Sequence, residues 1–390
     1  MNDSLRSMID AIQAAAAAKT PLRIRGGGTK DFYGEPFDPS LPILETRSHS
    51  GIVSYEPSEL VVTVKAGTSL LELEAALAEK GQSLAFEPPH FNAEMRLESS
   101  SQPPHFTEGS TVGGMVAAGL AGPARACVGG VRDYVLGAHL INGRGELLEF
   151  GGQVMKNVAG YDVSRAFAGS LGTLGLITQV SLKVLPVAHA EATLRFEMNE
   201  AAAIRCCNEW AGQPLPLNAS SWVIDQGLGT LYLRLRGAVA AVESACKRLG
   251  SEVGGVRVDS PETSADWRAA RDLQLPWFKK GIARGDDLWR ISVPQTTPPL
   301  GLGDTLIDWL GGQRWLFTAA SERVQATQRI RAAVQAVGGS TTLFIAHRAD
   351  SMPATPRFDA QKPPLDKIHQ QLKAEFDPAG IFNPRRLGVI

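Results

Sequence analysis

Glycine constrains this chain more than any other residue. It gathers in three places in the first half of the sequence: Gly26-Gly27-Gly28 within "RIRGGGTK", the stretch from Gly109 to Gly122, and the series Gly169, Gly172, Gly175. A backbone that needs left-handed torsions or very close approach leaves no room for a side chain. Successive bare amides can also turn inward together and form a concave nest for an anion, and several such segments can wrap one long ligand, neutralising a pyrophosphate with main-chain N–H groups. Glycine serves tight turns equally well, so a turn-rich lobe stands beside the anion-binding reading on spacing alone. Two nucleotide motifs are excluded. Lys30 follows Gly28-Thr29 and precedes Asp31, which breaks the G-x-x-x-x-G-K-[ST] loop, and Asp31 stands where G-x-G-x-x-G requires its third glycine.

A chain of 390 residues divides into two or three lobes and can bury a large cofactor. Its 39 basic and 40 acidic residues leave a formal charge of −1, which argues against nucleic acid or any general polyanion as partner. Cys127, Cys206, Cys207 and Cys246 form no C-x-x-C pair, which excludes a self-contained iron–sulfur or structural metal motif and fits a reducing compartment. The opening "MNDSLRSMIDAIQAAAAAKT" lacks the basic and apolar regions of an export signal, and no apolar run approaches a membrane span. The expected location is the cytoplasm, with membrane contact only through partners.

After the N-terminal helix, "PLRIR" and "LPILET" predict short strands on either side of the first glycine loop. "ELVVTVKAG" predicts a strand that passes through Gly67 into the helix "TSLLELEAALAEKG". From 109 to 186 the glycine density predicts mostly strand and loop, with Asn142-Gly143 marking a hairpin. The texture changes near Pro186. "ATLRFEM", "AAAIRCCNEWAG", "SSWVID", "LYLRLRG" and "AVAAVESACKRLG" alternate strand, helix, strand, strand, helix, and the alternation runs on to "TTLFIAHR". That order predicts a ferredoxin-like α+β domain. The Pro-rich "SMPATPRFDAQKPP" precedes a last helix from about residue 365. The word "PPHF" occurs at 88–91 and again at 103–106, as a short tandem duplication with one copy looped out would leave it.

Together, "RIRGGGTK", "GSTVGGMVAAGLAGPARACVGGVRDYVLG", "KNVAGYDVSRAFAGSLGTLGLITQVSLKVLP" and "FDPAGIFNPRRL" resemble the FAD-binding flavoenzymes of the vanillyl-alcohol oxidase, or PCMH, type. Through "FEPPHF", "KNVAGYDVSR" and "DPAGIFNP" the chain looks most like the FAD-binding E subunits of bacterial glycolate oxidases. The resemblance implies an α+β fold: a two-lobed PCMH-type FAD-binding domain at 1–187, a ferredoxin-like α+β cap at 188–350, and a C-terminal segment, 351–390, returning to the first domain. Arg25, Gly26, Gly27, Gly28, Thr29 and Lys30 match the pyrophosphate loop. Many relatives carry a flavinylated histidine where Thr29 stands, so noncovalent FAD is implied. Ser110, Thr111, Val112, Gly113 and Gly114 match the segment along the flavin and ribityl chain, and Gly119, Gly122, Arg132 and Asp133 fall in the loop after it. Gly169, Gly172, Thr173, Gly175 and Ile177 match the adenosine end, and Asn383-Pro384 a turn back to the flavin. Of the two "PPHF" words the second precedes "TEGSTVGG" at about the family distance and the first follows "LAFE" as the family motif does; the second, through Pro103 and Pro104, is favoured at the flavin.

The implied chemistry is oxidation of glycolate or another small 2-hydroxy acid. FAD takes a hydride from the hydroxyl-bearing carbon, while the protein supplies a cation for the carboxylate and a base for the hydroxyl proton. The histidine-rich H-x-D-G-N-x-H motif of related dehydrogenases is absent. His347 and Arg348, ending "TTLFIAHR", and Arg290 in "LWRISVP" are the substrate-side candidates; no catalytic residue is otherwise assigned. Two roles stay open: a subunit that oxidises the hydroxy acid itself, and a FAD-holding relay or structural subunit beside a sister FAD-binding subunit with the missing motif. The unclustered cysteines place any iron–sulfur centre on a further subunit. A glycine-rich carbohydrate- or nucleotide-binding module is the non-enzymatic alternative.

Overall fold

Five stretches rich in Val, Ile and Leu pair into one antiparallel sheet: β1 (Ile52–Glu56), β2 (Val61–Lys65), β3 (Val135–Ile141), β4 (Leu147–Gly151) and β5 (Leu176–Lys183), in the order β1-β2-β5-β3-β4. The structure, a computed structural model, describes residues 3–91, 109–152, 162–258, 261–347 and 355–388. β2 and β5 are buried at nearly every position, because a central strand is covered on both faces; the polar residues this encloses are paired, Thr63 Oγ1 lying 2.9 Å from Ser181 Oγ. Edge strand β4 alternates intermediate and exposed positions. The predicted hairpin joins β3 to β4, with Asn142 Oδ1 accepting from the amides of Arg144 and Glu146 and with Gly145, rather than Gly143, left-handed at φ +77°. The predicted flanking strands also form: Arg23–Arg25 runs parallel to Ile43–Glu45. The N-terminal helix Asp3–Ala18 buries Met8, Ile12 and Ala15 against Leu22, Leu44, Ile141 and Phe382.

Glycine density misled the reading of residues 112–118. They form the helix Val112–Ala118, capped by Thr111 Oγ1, which accepts from Gly114 N at 3.2 Å, and ended by left-handed Gly119. Tertiary approach explains its glycines: a Cβ on Gly113 would meet Ala66 Cβ at 2.7 Å.

The chain separates into two units, 1–120 with 130–186 and 360–390, and 121–129 with 187–359. The second is built on β6 (Ala190–Glu197), β7 (Leu217–Asp225), β8 (Leu228–Gly237), β9 (Val256–Arg257), β10 (Asp287–Ser292), β11 (Thr305–Asp308), β12 (Gln313–Thr318) and β13 (Ser340–Ile345). All pair antiparallel in the order β9-β6-β8-β7-β11-β12-β10-β13. β6 to β9, with helices Glu200–Ala211 and Val239–Val253, follow the ferredoxin-like βαββαβ order. β10 to β13 repeat that strand arrangement with the single helix Arg323–Ala336. The halves join through only two residue pairs, Ser221 with Asp308 and Trp222 with Ile307. Residues 121–129 belong to this unit because Trp309 Nε1 donates to Gly122 O at 3.0 Å and the Arg125 guanidinium lies 4.6 Å from the Trp309 ring centre.

Candidate functional site

The strand Arg23–Arg25 delivers the chain into Gly26, and there the main chain stops pairing. Among the described residues the N–H groups of Gly26, Gly27, Gly28 and Thr29 donate to no acceptor, although Gly27 is buried. Buried amides are nearly always paired, so four successive unpaired amides on a concave loop mark an anion site. Gly28 turns the loop with φ +68°, and a Cβ there would meet Arg25 Nη2 at 2.5 Å. A Cβ on Gly26 would overlap Thr111 Oγ1.

This loop walls an open cleft of about 770 Å³, counting its solvent-open part. Residues 25–31 form one side; Gly113 and Gly114, Gly172, Gly175 and Ile177, and Asn383 with Arg386 complete it. The glycines keep the walls close. A Cβ on Gly172 would meet Asn383 Nδ2, and one on Gly175 the carbonyl oxygen of Ile141, each at 2.7 Å.

The cleft is cationic. Arg23 and Arg25 both grip Asp31, at 2.5 and 2.9 Å, and burial lowers the Arg23 pKa although Asp31 opposes it. Lys30 Nζ donates to Ser110 Oγ at 2.8 Å and to Thr29 Oγ1 at 3.3 Å, while those two hydroxyls lie 2.9 Å apart. The C-terminal segment ties the pieces together. Asn383 Oδ1 accepts from Ile24 N at 2.8 Å and its Nδ2 donates to Leu171 O at 2.7 Å. Lys373 donates to Thr173 O, Phe382 O and Asp377; burial lowers its pKa.

Of the residues singled out in the sequence, Arg25, Gly26, Gly27, Gly28, Thr29, Lys30, Gly113, Gly114, Gly172, Gly175, Ile177 and Asn383 line the cleft. Ser110 and Thr111 touch it through Lys30, Thr29 and Gly26. Val112, Gly119, Gly169, Thr173, Arg132 and Asp133 are not on its wall. Val112 is a core residue, and Gly119 and Gly169 pack backbone to backbone, a Cβ on Gly119 meeting Gly169 N at 2.8 Å. Thr173 closes a turn onto Ser170 O, Asp133 caps Gly130 N, and Arg132 is exposed. Gly122 lies in the second unit. His347 and Arg290 also belong there: the His347 amide donates to Asp287 Oδ1 at 2.8 Å, and the Arg290 guanidinium is 5.4 Å from the Phe344 ring centre. Pro103, Pro104 and Arg348 lie outside the described residues.

The first "PPHF" copy, the alternative that follows "LAFE", reaches the loop, since Phe91 packs edge-on against Phe32 at 5.4 Å and Lys30 Nζ lies 5.8 Å from its ring centre. Sequence reasoning missed one contributor. Arg386, 3% exposed, was hidden because nothing in "NPRRL" distinguishes a buried arginine from a surface one.

Comparison with known proteins agrees with this geometry. Residues 3–151 match the family described as an FAD binding domain. Glycolate oxidase subunit GlcE of Escherichia coli K12 is 40% identical over 387 residues, 99% of this chain and 97% of that protein. Glycolate oxidase subunit GlcD of Bacillus subtilis 168 is 31% identical over 188 residues, 47% of this chain and 36% of that protein. Among solved structures, alkyldihydroxyacetonephosphate synthase superposes with a TM-score of 0.66 at 15% identity, over 97% of this chain and 74% of that one, a likeness of fold alone. The α+β, PCMH-type fold is therefore shown, and identity along almost the whole of both sequences places the chain in the GlcE family of glycolate oxidase subunits.

Proposed function

We propose that this chain is the FAD-binding subunit of a glycolate-oxidase-like 2-hydroxy-acid dehydrogenase complex, an FAD-dependent oxidoreductase taking part in oxidation of glycolate to glyoxylate or of a similar small 2-hydroxy acid. The observation that carries the reading is the run of unpaired amides from Gly26 to Thr29, which fits a diphosphate. When bound, FAD supplies hydride acceptance from the hydroxyl-bearing carbon. The chain's residues bind and orient it: the amides of 26–29 hold the diphosphate, Arg25 and Lys30 balance its charge, and Gly113, Gly114, Gly172 and Gly175 let the main chain approach. Thr29, and a cleft wall that holds no histidine or cysteine among the described residues, support noncovalent attachment.

The partners proposed are a sister FAD-binding subunit and an iron–sulfur subunit. Among the described residues no group of three His, Cys, Asp or Glu side chains stands together to hold a metal. No described helix is long and apolar enough to cross a membrane. One observation favours the relay role: Asp31, the acid on the cleft wall among the described residues, has its carboxylate engaged by both Arg23 and Arg25. His347, Arg348 and Arg290 stay as proposed substrate-side groups.

A single preparation tests both roles. The purified chain should show a flavin spectrum and release FAD into acid supernatant, and glycolate added anaerobically should bleach the band. Bleaching that appears only after partner subunits are added selects the relay. A colourless chain that FAD cannot reconstitute overturns the assignment.

A further inference from the structure

We propose that Arg386, from the far end of the chain, is a positioning residue of the pyrophosphate loop: its guanidinium sets where residues 30–35 stand and so whether the nest fits a diphosphate. The inference rests on the FAD reading above. Arg386 donates to the carbonyl oxygens of Asp31 at 2.7 Å and Lys30 at 3.4 Å, and also to those of Tyr33 and Glu35. Its own carbonyl accepts from Glu35 N at 3.1 Å. The guanidinium carbon lies 3.8 Å from the centre of the Phe37 ring, and that of Arg23 lies 4.1 Å from the same ring. Gly34 lets the loop close around this centre: φ is +95°, and a Cβ there would meet Arg386 O at 3.0 Å.

The consequence follows from what the loop carries. Lys30 and Asp31 are bonded by their carbonyls to Arg386 and by their side chains to Ser110 and to Arg23 and Arg25. Fixing those carbonyls therefore fixes the exit of the nest formed by 26–29. A planar fork of five N–H donors can serve several carbonyls at once; an ammonium is a point charge on a flexible stem and cannot span them. Lysine at 386 keeps the charge but loses the fork.

The test uses the full chain stripped of FAD. Arg386→Lys and Arg386→Met are compared with Arg385→Lys, a change at the exposed neighbour. Hydrogen exchange of the amides in 26–35 and the FAD dissociation constant, from quenching of flavin fluorescence, are both read. Expected are faster exchange confined to 26–35 and an FAD dissociation constant raised about 10-fold or more in the Arg386 variants, the scale of a lost hydrogen-bond set to a charged group, with neither effect in Arg385→Lys. If Arg386→Met does not fold, Arg386→Lys decides alone. Parent-like FAD binding, or exchange that rises evenly over the chain, overturns the proposal. A parent chain that binds no FAD overturns the cofactor reading instead, while the exchange pattern still judges Arg386.

Discussion

Asp308→Asn should make the second unit more stable at alkaline pH and leave it unchanged in acid. Asp308 ends β11 at the seam between the two halves of the eight-stranded sheet, paired with Ser221 on one side and Gln313 on the other. Trp315 Nε1 donates to its Oδ2 at 3.0 Å, whereas Oδ1 has no well-aligned donor although Ser221 and Gln313 stand beside it. Burial raises its pKa from an ordinary 3.8 to about 6. At about 1.4 kcal/mol for each tenfold in proton affinity, holding the charged form inside the fold costs about 3 kcal/mol. The folded chain binds this proton more tightly than the unfolded one, so the stability is fully present below pH 3.8 and is lost as the pH rises through about 6. Asparagine keeps an acceptor for Trp315 and never carries the charge. All seven tryptophans lie between 210 and 315, within the second unit, so tryptophan fluorescence during urea unfolding reads this unit directly. The variant should exceed the parent by up to about 3 kcal/mol near pH 8, with the gap closing toward about pH 4. A gap that does not change with pH, or a less stable variant near pH 8, refutes the burial argument.

Two further outcomes bear on the cleft. Gly26→Val puts branched carbon into the Thr111 hydroxyl that caps the helix Val112–Ala118, so flavin absorbance per chain should fall to background while tryptophan emission from the second unit stays as in the parent; full flavin content would sink the loop assignment. Deleting residues 92–106 leaves one "PPHF", with Phe91 still seated against Phe32 and Lys30, and should leave FAD content and the flavin spectrum unaltered. Loss of the cofactor on that deletion would return the role to Pro103 and Pro104.

How far the sequence could carry this result depends on what each residue type reports. Strand β2 was legible because a valine-rich stretch has few other uses and β5 because its residues alternate, and the alternation of elements after Pro186 announced the ferredoxin-like order that β6 to β9 follow. Arg386 and the bonds of Asn383 were not legible as supports, since each acts on backbone that lies more than 200 residues earlier in the chain. Glycine is the instructive case. Gly28, Gly172 and Gly119 all have left-handed torsions, and all were assigned to the cofactor because they match segments of the resembled family. Yet Gly119 serves a helix end, where the amide of Gly169 donates to Val116 O at 3.0 Å and that of Leu171 to Ala117 O at 2.8 Å, satisfying carbonyls the helix leaves unpaired. A glycine signals that something approaches the main chain closely; it does not say whether that neighbour is a phosphate or another peptide. What separates the two is whether the amides around it already have acceptors. At 169–171 the protein supplies them, at 26–29 it does not, and the difference lies in hydrogen-bond partners that no spacing of residues encodes.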